Sequence, residues 1–370
     1  MKMGRNQLCW CNSGKKYKQC HLGRDKQEPV KKSEVIKELN KFNSQKCCSV
    51  PDAMKVQCSN KIIKAHSVSK SSSLKEIAKD GHVYTTFNTK HNYSYPFKVR
   101  PQKVGINNAS TFTGFCSTHD KELFSPIEDK PFEANAFHCF LVAYRALCRE
   151  VFVKESVLST FNFAHTLDKG KGIQEQAFIQ SFTKHYSENN DLTLGDLRYI
   201  KKFFDQMLID KNYEDVEHIV FELEQPSNVM TSAVGGYTVG FDGKLIQHIS
   251  DDPSQIPDYV LINSFSSQGN GYVVLSWLKK HSVSNLKFVR QLLNTASISN
   301  SLSVFIFAMV ENIYMSASWW EGLSDLQQEK ICAIYAQGAT EHTKNSILMK
   351  LPIFDDNRLV SQTTIGEYAL

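Results

Sequence analysis

The chain has 370 residues, 41% of them hydrophobic and 11% aromatic, enough to bury a substantial core and to build two or three structural units. Charged residues make up 22%, close to the globular average, which excludes wholesale disorder. No apolar run approaches the roughly 18 residues that span a bilayer, and the basic, polar residues 1–8 have no apolar stretch behind them. A membrane protein and a secreted disulfide scaffold are therefore poor readings, and a cytoplasmic location is expected.

The net charge of +5 hides an asymmetry. Residues 1–105 hold 22 Lys/Arg against 7 Asp/Glu, while residues 106–370 hold 21 against 31. A basic amino-terminal third suits a phosphate backbone or an acidic surface, so nucleic acid is the expected partner of that part. Cysteines follow the same division. Cys9, Cys11, Cys20, Cys47, Cys48, Cys58 and Cys116 account for seven of the ten. Clustered cysteines in a chain without an export signal point to metal before disulfides. Cys139, Cys148 and Cys332 lie in apolar helical stretches and read as buried small hydrophobes.

The first element in chain order is a module over residues 1–24. Cys9 and Cys11, then Cys20 and His21, place four ligands within thirteen residues. Two knuckle cysteines and a Cys-His pair can close a tetrahedral zinc site with no open position. Gly14 permits the tight turn between the pairs, and Lys15, Lys16 and Lys18 favour thiolates. The run Gly4-Arg5-Asn6, followed by Cys-x-Cys-x-Ser-Gly-Lys-Lys-Tyr-Lys-x-Cys-His, resembles the SEC-C motif, the zinc module named for the carboxy terminus of the SecA translocation ATPase. The usual glycine before the Ser-Gly pair is Asn12 here. The resemblance implies zinc on residues 9–21 and a docking role, with a protein partner as its counterpart.

Residues 25–46 carry Val35, Ile36 and Leu39 at helical spacing and read as a linker helix. Residues 47–125 are rich in Cys, His and turns. Cys58, Cys116 and His119 could form a second zinc site. Cys48 serves as the fourth ligand with Cys47 as the alternative, because neighbours on an extended chain point to opposite sides. Between them, residues 61–66 read as a short strand ending in His66, residues 73–79 as one or two helical turns, and residues 82–87 as a second strand. This arrangement resembles the ββα-metal, or HNH-type, nuclease finger. The resemblance implies His66 as general base on water and a following helix that supplies ligands for Mg²⁺ or Mn²⁺. Asn88, His91 or Asn92 would have to provide the family's downstream Asn and His.

Phosphodiester hydrolysis needs a base near neutral pKa and a cation beside the leaving oxygen. His66 could be the base. His82 or His91 could reach the metal or the phosphate. Lys61, Lys64 and Lys70 could hold a phosphate near His66. Lys98 and Arg100 lie among the aromatic residues of 82–103, a mixture that suits stacking on bases and neutralising phosphates.

Residues 126–370 read as one larger domain of helices packed on an antiparallel sheet. Long helices are expected from about 137 and over 174–208, and helical patterning returns from 289 to 337. Strands are expected at 219–223, 237–241, 245–249, 259–262 and 272–275, with Asp242-Gly243 as a hairpin turn. His138, His165 and His218 read as structural, and Trp319-Trp320 as core. The fold class is α+β. The expected activity is zinc-dependent architecture around metal-dependent cleavage of nucleic acid, an architecture that would fit bacterial defence against foreign DNA. The alternative is a non-catalytic zinc adaptor that binds nucleic acid or protein, with the carboxy-terminal domain as a further assembly surface.

Overall fold

The structure is a computed structural model and describes residues 3–86, 100–250, 252–340 and 357–368. It is α+β, and it divides into two compact units.

The first unit comprises Met1–Lys46 and Val151–Leu197. It opens with the zinc-type knuckle and the one-turn helix α1 (Tyr17–Cys20). Helix α2 (Lys32–Asn43) follows, where the linker helix was expected. Its first turn is closed by Glu34, whose carboxylate accepts the Lys31 N–H at 3.1 Å.

The second unit comprises Cys47–Glu150 and Arg198–Leu370. It begins with β1 (Ile62–His66), a π-helical turn over Lys70–Leu74, and the short helix α3 (Lys75–Ile77). Strands β2 (His82–Thr85), β3 (Gln102–Gly105) and β4 (Thr111–Cys116) come next, and β4 runs directly into helix α4 (Ser117–Glu128). Strand β1 pairs antiparallel with β4, setting Ile62 opposite Cys116 and His66 opposite Thr111. Phe115 of β4 and Phe124 of α4 meet edge to face at 5.1 Å and are fully buried, so the helix is held on the strand pair.

The helices α5 (Ala136–Ala164) and α6 (Ile173–Asp210) each contribute to both units. Within the first unit their stretches run antiparallel. Asn190 donates to the Lys154 carbonyl at 3.2 Å and Gln180 to the His165 carbonyl at 2.8 Å.

The remaining strands are β5 (Val216–Leu223), β6 (Val229–Gly235), β7 (Val260–Ser267), β8 (Asn270–Leu278), β9 (Ile313–Met315) and β10 (Leu359–Ile365). The helices among them are α7 (Ser282–Leu293), α8 (Ile298–Met309), α9 (Ala317–Gly322) and α10 (Asp325–Thr340). Among the described residues eight strands form one antiparallel sheet in the order β10-β5-β8-β7-β6-β9-β2-β3. Its central strands are apolar at consecutive positions because both faces are buried. On β5, Ile219, Phe221 and Leu223 join the main core with Phe288 of α7 and Phe305 of α8. Val220, pointing the other way, packs with Phe132, Cys139 and Val142.

The expected strands at 237–241 and 245–249 are corrected. Only a single bridge forms there, Val239 to Leu245, around a turn in which Gly243 takes a φ of 73°. Tyr237 and Phe241 instead bury their rings against Phe288, at 4.3 and 5.0 Å. Core burial of the flanking side chains wins over a paired ladder. Cys139 and Cys148 are fully buried, Trp320 is in the core and Trp319 packs against it. Among the described residues no helix is long and apolar enough to cross a membrane.

Candidate metal centres

The first centre is built by local chain geometry. The Cys9 N–H donates to the Lys15 carbonyl at 2.8 Å and the Tyr17 N–H to the Gln7 carbonyl at 2.8 Å, folding the knuckle back on itself. Gly14 turns with φ 72°, and Asn12 with φ 57°. The left-handed region explains why glycine usually precedes the Ser-Gly pair, and why asparagine, the side chain best tolerated there, can replace it.

The fold brings Cys9, Cys11, Cys20 and His21 together, with all four ligand atoms within 4.8 Å of one another. Cys9 Sγ lies 3.1 Å from His21 Nδ1, and Cys11 Sγ lies 3.5 Å from Cys20 Sγ. Tetrahedral bonds of zinc length set such ligand atoms about 3.5–3.8 Å apart. Three thiols and one imidazole at this spacing fit zinc.

The outer shell of this centre was not visible in the sequence. His21 Nε2–H donates to Asp168 Oδ2 at 2.8 Å, which leaves Nδ1 as the metal-facing lone pair. Asp168 is completely buried. Its other oxygen accepts from Arg24 Nε at 2.7 Å and Arg24 Nη2 at 2.6 Å, and Gln180 Nε2 donates to Oδ2 at 2.7 Å. Nothing local marks Asp168, which stands 147 residues from His21 in the chain.

The second centre joins Cys48, Cys58, Cys116 and His119, again with all ligand atoms within 4.8 Å. Pairing of β1 with β4 closes the long gap between Cys58 and Cys116. His119 Nδ1 is 3.5 Å from Cys48 Sγ, 3.4 Å from Cys58 Sγ and 3.3 Å from Cys116 Sγ, the spread that three thiolates and an imidazole take around one zinc. Cys47 is exposed and outside this set.

Cys116 caps α4, its sulfur accepting the His119 N–H at 3.5 Å. Burial raises the Cys116 thiol, but donors from His119 and Ser59 outweigh it and bring it down to about 6. Burial pushes Cys58 up to about 12, helped by Cys48 and Cys116. Burial likewise pushes Cys9 up to about 11. Both centres are therefore sets from which a metal displaces protons.

His66 ends β1 and is half-buried. Its Nε2–H donates to the Ile106 carbonyl at 3.2 Å, so Nδ1 carries the free lone pair. Burial holds its pKa below the usual histidine value. Lys70 and Arg145 act in the same direction, and Ile106 and Glu128 oppose it.

His82 lies on the large sheet, exposed, with Nδ1–H donating to the Asp80 carbonyl at 2.7 Å. Among the described residues neither His66 nor His82 belongs to a group of Cys, His, Asp and Glu spaced to hold an ion. Lys64 and Lys70 are exposed and reach Asn108 and Asn107 at 3.4 and 3.3 Å. Lys61 and Arg100 are exposed. Asn88, His91, Asn92 and Lys98 lie outside the described residues. The three histidines read as structural are bonded within the fold: His138 Nδ1 to the Glu133 N–H at 3.0 Å, His165 Nδ1 to Gln180 at 2.8 Å and His218 Nδ1 to Ser276 at 2.8 Å.

Residues 5–23 match the family model of the SEC-C motif, which covers the first centre. No curated protein and no solved structure matches the chain.

Proposed function

We propose that this protein cleaves nucleic acid, with His66 as the general base of a zinc-stapled ββα finger. The observation that carries the reading is the His66 imidazole. Its Nε2–H is committed to a backbone carbonyl, and its pKa is lowered, so a neutral ring offers Nδ1 to a water. The strand pair β1–β4, helix α4 and the second Cys/His centre at the β4–α4 junction support it, because they fix the strand that ends in His66. Exposed Lys61, Lys64 and Lys70 supply the positive charge that a phosphate backbone meets. In this reading Mg²⁺ or Mn²⁺ neutralises the leaving oxygen, and both zinc centres, with four protein ligands each, serve as structure.

The setting is the cytoplasm, and the module over residues 1–24 docks a protein partner. Residues 25–46 lead from it to the catalytic stretch 47–125, which shares its unit with residues 126–150 and 198–370. Defence against foreign DNA would suit such an assembly.

The test uses the full zinc-loaded chain with single- and double-stranded DNA and RNA. Cleavage in Mg²⁺ or Mn²⁺ is expected, lost to EDTA before zinc is lost. Binding should weaken steeply with salt. A protein that binds but cleaves none of these substrates would be an adaptor, the reading that two closed metal sets would then favour.

A further inference from the structure

Helix α6 has its buried face in Ile200 and Phe204, which are 1% and 0% exposed. On its outer face Tyr199 and Phe203, one turn apart, are each 40% exposed. Their rings meet edge to face, 5.1 Å apart. Lys280, in the turn between β8 and α7, sets its ammonium against both. Nζ lies 3.6 Å from the Phe203 ring centre and 4.1 Å from that of Tyr199, and it donates to the Tyr199 hydroxyl at 3.0 Å. All three residues belong to the second unit, as does His66. The neighbouring lysines are paired with carboxylates, Lys201 with Asp205 at 2.7 Å and Lys279 with Glu367 at 2.6 Å. Lys280 meets no carboxylate among the described residues.

The chemistry of the patch selects its occupant. Arg198 and Lys202, both exposed, run as a basic row beside the aromatic row on the same helix. Rings interleaved with cations match a strand in which flat bases alternate with phosphates. The Lys280 ammonium has one donor on Tyr199 and two more to offer, so a phosphate can join it without drawing it off the rings. A duplex hides the faces of its bases in the stack, so the rings call for unpaired bases. A protein partner fits less well, because the core of a protein interface is depleted in lysine.

We propose that Tyr199, Phe203 and Lys280 form a stacking platform for single-stranded nucleic acid. The assignment rests on the reading of this protein as one that acts on nucleic acid, and it gives the strand a foothold outside the basic amino-terminal third.

The probe is a fluorescein-labelled oligodeoxythymidine of roughly 20 nucleotides, longer than one single-strand site, with a duplex of equal length as control. Anisotropy is read on the full zinc-loaded chain without Mg²⁺ or Mn²⁺, so that both probes stay whole. Phe203→Leu and Tyr199→Leu keep an apolar helix former and lose the ring. Each should weaken single-strand binding about 5–100-fold, the worth of one stacked base, and leave duplex binding nearly unchanged. Lys280→Gln should flatten the slope of log affinity against log salt by about 0.7, one phosphate. Phe203→Trp decides the question if the leucine variants do not fold, judged by zinc content and circular dichroism. It should bind the single strand as tightly as wild type, and its new indole should add a fluorescence quench with unlabelled oligodeoxythymidine. Single-strand affinity unchanged in folded leucine variants would overturn the platform. So would equal losses on single strand and duplex, no added quench in Phe203→Trp, or no single-strand binding by the wild type at low salt. A wild type that cleaves nucleic acid while the leucine variants bind unchanged removes the platform alone. Leucine variants that lose single-strand binding in a protein without cleavage keep the platform and remove the nuclease.

Discussion

His21 Nε2 and Asp168 Oδ2 lie 2.8 Å apart, and that one hydrogen bond ties a candidate metal ligand to a wholly buried carboxylate in the turn after α5. Arg24 and Gln180 satisfy the rest of the carboxylate. The SEC-C motif of this chain is thereby anchored to the 151–197 stretch of its own unit. The bond also fixes the imidazole tautomer that presents Nδ1 beside Cys9.

Asp168→Asn should lower zinc affinity at the first centre by about 10–100-fold, the usual worth of an outer-shell partner of a metal-bound histidine. Competition with a chromophoric chelator measures it. The second centre should keep its affinity. Equal affinity of mutant and wild type at the first centre would show that the bond does not tune the metal.

The Cys/His cluster of the second centre takes in Cys48 and leaves Cys47 outside. Cys47→Ser should retain two zinc ions per chain by elemental analysis. Cys48→Ser should retain one, and thermal melting of the Cys47–Glu150 stretch should fall. Two zinc ions in the Cys48 variant would return the choice to Cys47.

How much of this was legible in the sequence depends on where each partner sits. The first centre was legible because its four ligands fall within one knuckle, so spacing alone carries the geometry. The second was half legible. Cys116 and His119 are three apart at a helix start, but only the β1–β4 pairing, Ile62 opposite Cys116, brings Cys58 to them. Asp168 was missed because it gains its meaning from a partner far along the chain. The long helices and the central strands β5, β7 and β8 were legible from their periodicity. Strands β3, β4, β6, β9 and β10 were not, being short, glycine-containing or polar at the sheet edge, as in the Ser361–Thr364 stretch of β10. Asp242-Gly243 was read rightly as a turn and wrongly as a hairpin, because Tyr237 and Phe241 turn inward to Phe288.

His218 is wholly buried on β5, and burial holds its pKa down at about 3. Unfolded, it titrates near the ordinary histidine value of 6.5. Between those two values the unfolded chain binds the proton and the folded chain does not, so this residue lowers stability as pH falls from 6.5 towards 3. His218→Gln carries no such proton. Melting temperatures measured across that window should show the wild type losing ground to the variant as pH drops. A constant difference between the two would mean that His218 does not titrate on unfolding.

The central claim is that His66 is a base on a phosphodiester. The most direct measurement is the pH–rate profile of nucleic-acid cleavage by wild type and His66→Gln, each with its zinc content verified. Nδ1 must be neutral, and its pKa lies below 6.5, held there by burial, Lys70 and Arg145 against Glu128 and the Ile106 carbonyl. The wild-type rate should rise with pH through a midpoint under 6.5 and then level. His66→Gln should keep both zinc ions and its nucleic-acid affinity, lose that limb, and cleave about 10²–10⁴-fold more slowly. A folded His66→Gln protein that cleaves at the wild-type rate with the same profile would contradict the account.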